Sequence, residues 1–296
     1  MIERYLAHLK SGEEIEDGIR RLLSIRSHDK DAYNKFYDVI LNYLHPIPFP
    51  IVDVIPNLPL SIFYRTRSND KPGEWYSKIT EISSHNDLEN IKSYGRCNIP
   101  HQSTFYCAEN RETAVFEVLK KNDFKRKKLI LTTGRWRLKE KMTLGFLVHS
   151  DEALNANPVL KEEYDKFSSI IDNLEPSQKI VIVRLLKFIS DYFARPFGDK
   201  ANNEYKLSAA FYNYFLNYVD GLIYPSVKIL YKGLNYAFDH DKFLNNIIEL
   251  DRALINVANR DIEDPLSYTE GYGTEDRGIL KESNFIRWNT QSLQKI

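Results

Sequence analysis

Three short stretches hold residues whose types could do chemistry together. FYRTRS (63–68) carries Arg65, residues 95–118 carry Arg96 in GRCN and Glu117 in NRETAVFEV, and DGLIYPSVK (220–228) carries Ser226. A carboxylate such as Glu117 stabilises positive charge that develops beside it and can hold a hydroxyl or a nucleophile. Arginine has a planar fork that gives phosphate two parallel hydrogen bonds, which makes Arg65 the first candidate and Arg96 the second. Ser226, after Tyr224-Pro225, would present a hydroxyl from a rigid strand end. Tyr64 and Tyr106 are candidate walls against flat rings, with Asn98 as a further polar contact. Each has an ordinary reading too. Glu117 alone is a surface helix residue, Arg65 and Arg96 are ion-pair partners, Ser226 caps a turn, and Tyr106 is core.

The elements that must position these residues follow from pattern. In HDKDAYNKFYDVILNYLH (28–45), Tyr33, Phe36, Val39, Ile40, Tyr43 and Leu44 fall on one helical face, and PIPFP (46–50) stops the run. Strands are expected at 58–67, 103–108, 127–138, 142–149, 221–228 and 234–239, where β-branched and aromatic residues crowd short segments. NRETAVFEVLKK (110–121) reads as a short helix, and 151–218 as several longer ones broken near Pro196 and Gly198. From Asp251 onward the chain reads as a charged, turn-rich tail. The expectation is an α+β fold with a mixed or antiparallel β core, a helical N-terminal segment and a helical insertion. The divisions are 1–57 for the N-terminal extension, 58–250 for the main domain and 251–296 for a tail packed on it.

Composition narrows the function classes. The 296 residues include 41 Lys+Arg against 41 Asp+Glu, so the chain lacks the basic surplus of a direct nucleic-acid binder. The basic run KKNDFKRKK (120–128) reads as a solvated loop before a strand. The 19 Tyr and 16 Phe supply buried area and flat walls. Two cysteines make no disulfide framework, and His85, His101 and His149 have no metal-ligand spacing. With no signal-like or membrane-spanning apolar run, a bacterial cytoplasm is the simplest expectation. No Gly-rich nucleotide motif follows any strand.

In order and character, the three blocks resemble the RES-domain family. The matches are Tyr64-Arg65; Gly95-Arg96-x-Asn98, Tyr106-x-Ala108-Glu109 and Glu112-Thr113-Ala114-x-x-Glu117; then Asp220-Gly221-x-x-Tyr224-Pro225-Ser226 with Gly233-x-Asn235. Cys97 and Thr66 depart from the family, standing where it usually has bulkier residues. The resemblance spans roughly residues 60 to 240 and implies a fold similar to ADP-ribosyltransferases and an attack on NAD. NAD would be substrate, with no prosthetic group, cleaved by water or by inorganic phosphate as co-substrate. It also implies a bacterial toxin with an antitoxin protein as partner; self-association is left open. Two rivals remain: transfer of ADP-ribose to a protein, and a RES-like binding module without turnover.

Overall fold

The computed structural model describes residues 8–58, 60–69, 76–85, 87–119, 128–148, 150–196, 202–240, 247–260, 268–274 and 286. Most of the basic run 120–128, His149 and much of the chain beyond 260 lie outside these. The chain is α+β and divides into two compact units interleaved in sequence. The first takes Met1–Asp53, Asp87–Thr104 and Met142–Asp239; the second takes Val54–Asn86, Phe105–Lys141 and His240–Ile296.

In the first unit, helix α1 (Gly12–Ser24) begins at a capping box. The Ser11 hydroxyl accepts from the Glu14 N–H while the Glu14 carboxylate accepts from the Ser11 N–H at 2.9 Å. Helix α2 (Ala32–Val39) runs into a π-turn at Ile40–Leu44. The expected face is there: Phe36, Ile40 and Leu44 are buried, and Tyr33, Val39 and Tyr43 half-buried. The four strands β1 (Ile51–Val54), β5 (Met142–Phe146), β6 (Gly221–Pro225) and β7 (Leu234–Asp239) follow that spatial order. Strands β5 and β6 are parallel, with Phe146 opposite Ile223, and a parallel pair needs a crossover rather than a hairpin. The helical insertion supplies it: α5 (Asp151–Ala156), α6 (Pro158–Ile171), α7 (Pro176–Phe193) and α8 (Lys206–Phe215). Helix α8 is almost wholly buried, and it holds α2 through the Asn213 amide, which donates to the Tyr33 hydroxyl at 3.1 Å.

In the second unit the strand order is β3 (Thr104–Ala108), β2 (Ile62–Ser68), β4 (Lys128–Leu138), β8 (Ile248–Arg260) and β9 (Tyr268–Thr274), with antiparallel neighbours throughout. The four-residue helix α3 (Ile79–Ile82) and helix α4 (Arg111–Val118) complete it. Here the structure corrects the sequence reading of the tail. Residues 251–260 finish the long strand β8, paired with β4 from Lys128–Asn259 to Leu138–Ile248. Its opening charges misled because their partners lie on the neighbouring strand: Arg137 pairs with Glu249 at 2.8 Å and Arg135 with Asp251 at 3.2 Å. Strand β1 is also additional to the expected set.

Candidate active site

Strand β2 places the first block. Successive side chains on a strand alternate faces, so Tyr64 and Thr66 point one way, Arg65 and Arg67 the other. Thr66 is fully committed inside: its hydroxyl meets that of Thr133 at 2.7 Å, and the Asn256 amide donates to the Thr133 hydroxyl at 2.6 Å. A small β-branched hydroxyl residue suits that ladder, which accounts for this departure from the family pattern.

On the opposite face Arg65 is held by backbone oxygens. Its Nε donates to the Ser83 carbonyl at 3.1 Å and its Nη1 to the Tyr106 carbonyl at 2.6 Å, with the guanidinium 5.4 Å from the Phe105 ring centre. Arg67 Nη2 donates to the same Ser83 carbonyl at 2.9 Å. Among the described residues no carboxylate pairs with either arginine. Burial, then the adjacent Arg67 charge, push the Arg65 guanidinium down to about 10, so it remains a cation at neutral pH. Burial also lowers Arg67. The neighbouring Cys107 thiol moves the other way, pushed up by burial against the pull of Arg65.

Strand β3 leads into α4 through Asn110, whose side-chain oxygen accepts from the Thr113 N–H at 2.8 Å. Val115, Phe116 and Val118 pack on a cluster of Leu119, Leu129 and Leu131. Leu131 stands opposite Ser68, on the Thr66 side of the strands, so α4 packs on the face away from Arg65. Glu117 is half-buried in the last turn of α4. A carboxylate there faces the negative end of the helix dipole, so helix stability gives no reason for it. Tyr64 and Tyr106 are both half-buried.

The first unit carries the other candidates. In GRCN a tight turn joins Gly95 to Asn98, and the Asn98 amide donates to the carbonyls of Ser93 at 3.2 Å and Ile99 at 3.0 Å. Arg96 reaches the end of α7, donating to the carbonyls of Phe193 and, at 3.0 Å, Arg195. Cations at a helix C-terminus satisfy its orphan carbonyls, a structural duty invisible from local sequence. Cys97 is fully buried; burial pushes its thiol up, and its side chain hydrogen-bonds that of Tyr224. This contact joins GRCN to the strand that precedes Ser226.

Gly221 opens that strand because nothing larger fits: a Cβ would lie 2.4 Å from the Ala237 carbonyl oxygen. Ser226 is fully buried at its end. The Ser226 N–H donates to the Gly233 carbonyl, and the Ser226 carbonyl accepts from the Tyr231 N–H, both at 2.8 Å. The enclosed loop holds Leu230 and Tyr231 at φ 54° and 65°, a left-handed conformation that non-glycine residues seldom adopt.

Thus Tyr64, Arg65, Tyr106 and Glu117 belong to one unit, and Arg96, Asn98 and Ser226 to the other. Sequence reasoning passed over Arg67, although its place two residues after Arg65 on a strand was signal enough. Among the described residues no helix is long and apolar enough to cross a membrane, and no group of three or more His, Cys, Asp or Glu could hold a metal ion. No curated protein matches the chain. The family model of the RES domain matches residues 64–255, a stretch that holds every residue of the three blocks from Tyr64 to Asn235, and the chain belongs to the RES-domain family.

Proposed function

We propose that this protein is an enzyme of the ADP-ribosyltransferase-like kind that cleaves the nicotinamide–ribose bond of NAD. The observation that carries the reading is Arg65, a half-buried cation held in place by two backbone carbonyls with no described carboxylate against it. A half-buried charge without a described counter-ion suits a site whose counter-ion is the ligand, here the NAD pyrophosphate.

Cleavage sends the bonding electrons to the nicotinamide nitrogen, which leaves as a neutral molecule, so no acid is needed at the leaving group. The ribose is left with oxocarbenium character. Glu117 is the carboxylate assigned to stabilise that charge and orient the incoming oxygen nucleophile; because α4 packs on the face of β2 away from Arg65, the assignment requires the dinucleotide to pass round the end of the strand to reach both. Tyr64 and Tyr106 flank the rings. Ser226, buried at the end of β6, orients the ribose or the carboxamide. Asn98 shapes the turn that carries Arg96, and Arg96 caps the end of α7. The functional domain runs from residue 58 through the end of β8 at 260, acting in the cytoplasm as a toxin whose antitoxin partner covers the site.

The test is incubation of the purified chain with NAD, with and without phosphate, following nicotinamide and the second product. Free ADP-ribose identifies hydrolysis, its 1-phosphate identifies phosphorolysis, and label retained on protein identifies transfer. Absence of nicotinamide release under all conditions would leave only the binding-module reading.

A further inference from the structure

Arg67 has no part in the three blocks, yet its setting is as unusual as that of Arg65. The two side chains leave the same face of β2 and converge on one oxygen, the Ser83 carbonyl, at 3.1 and 2.9 Å. Their donor nitrogens therefore lie within about 6 Å of each other. Two donors fill both lone pairs of that carbonyl, so it can anchor the pair but cannot neutralise it. No described carboxylate pairs with either cation, and each charge opposes the other.

The acceptor is itself fixed. The Ser83 hydroxyl donates to the Thr80 carbonyl at 3.1 Å, and the next residue, Ser84, is hydrogen-bonded through its hydroxyl to His240 Nδ1 at 2.8 Å. The guanidinium groups are thus preorganised side by side, each with N–H groups beyond those given to carbonyls.

We propose that Arg67 is the second arm of a two-arginine anion cradle, binding one phosphate of a pyrophosphate-bearing nucleotide while Arg65 binds the other. The inference rests on the NAD reading of Arg65 and deepens it: the site selects a nucleoside diphosphate core over a monophosphate. A competing role for Arg67 is purely structural, tying the Ser83 turn to β2. The two roles differ in sign. A staple loses stability when removed, whereas one of two opposed cations, removed, leaves the ligand-free protein as stable or more so.

The experiment uses the full chain, with ADP-ribose and AMP titrated at fixed ionic strength by calorimetry and with thermal unfolding of the ligand-free protein. Arg67→Gln is expected to weaken ADP-ribose at least about 10-fold, to change AMP less than about 3-fold, and to leave or raise the unfolding midpoint. Arg67→Lys, which keeps the charge but loses the fork, should fall between Gln and the parent. Parental ADP-ribose affinity in either folded variant overturns the cradle. If Arg67→Gln fails to fold, Arg67→Lys alone decides on the same criterion. Nicotinamide release by the parent is read separately. Release together with an indifferent Arg67 sinks only the cradle. Arg67-dependent ADP-ribose binding without release sinks the NAD-cleaving function and leaves the cradle as a binding site.

Discussion

Replacing Arg65 by methionine separates a ligand-binding arginine from a structural one, because the structure fixes what each would lose. Methionine keeps an unbranched apolar stem as far as the Nε position and removes every donor. The Ser83 carbonyl retains Arg67 Nη2 at 2.9 Å, while the Tyr106 carbonyl loses its 2.6 Å donor. Losing one such hydrogen bond from a charged donor costs about 1–3 kcal/mol. Against it stands the relief of an enclosed charge and of its repulsion with Arg67. The net loss of stability should be at most about 2 kcal/mol, lowering the midpoint by roughly 4–8 °C. Removing a desolvated phosphate contact costs about 2–4 kcal/mol in binding, or roughly 30- to 1000-fold. The expected signature is a steep rise in KM for NAD, with kcat at saturation much less affected and a modest thermal shift. Unchanged KM with a midpoint collapse well beyond 10 °C would make Arg65 a strut between β2, β3 and the Ser83 turn, and the proposed function would lose its main support.

Glu117→Gln keeps shape but removes the charge that faces the oxocarbenium, and should lower NAD turnover by roughly 100- to 1000-fold with NAD still bound; a parental rate returns Glu117 to an ordinary surface role. Burial, which disfavours the phenolate, pushes the Tyr33 hydroxyl up to about 12. Its contribution is complete below pH 10 and is lost as pH rises through 12, so Tyr33→Phe should flatten alkaline destabilisation in that window by about 1 kcal/mol after solvent screening, measured by urea unfolding at stepped pH. An equal alkaline slope in both proteins would refute the assignment. Phe36→Ala removes a ring that is 2% exposed from the N-terminal helical face, and urea unfolding should register about 3–5 kcal/mol lost. A loss below about 1 kcal/mol would mean that this face is not core.

Periodicity and residue type were enough for much of the fold. The Phe36–Ile40–Leu44 face, the helix from Arg111 to Val118 and the strands carrying Arg65 and Tyr224 could be read locally, because burial imposes a period that needs no knowledge of partners. Strand β8 could not. Glu249 and Asp251 look like a tail until Arg137 and Arg135 are set beside them, and that pairing is a property of two distant segments. The same holds at the candidate site. Arg96 resembled a ligand arginine until the end of α7 came to meet it, and Cys97 became intelligible once Tyr224 was its partner. Arg67 was legible in the alternation of β2; only its shared acceptor, Ser83, needed the fold.

The pairing of β4 with β8 also sets a clock. Arg137 and Glu249 are separated by 112 residues, which synthesis at about 5–20 residues per second covers in roughly 6–22 s. Throughout that interval the strand flanking Arg65 has an open hydrogen-bonding edge with Leu129 and Leu131 beside it, the kind of edge that recruits other chains. A nascent chain is thus left without this side of its sheet even after the last residue of the three blocks, Asn235, has been made. Prematurely terminated products that stop before Ile248 would inherit the open edge permanently and should be recovered as aggregates or proteolytic fragments rather than as a smaller working protein.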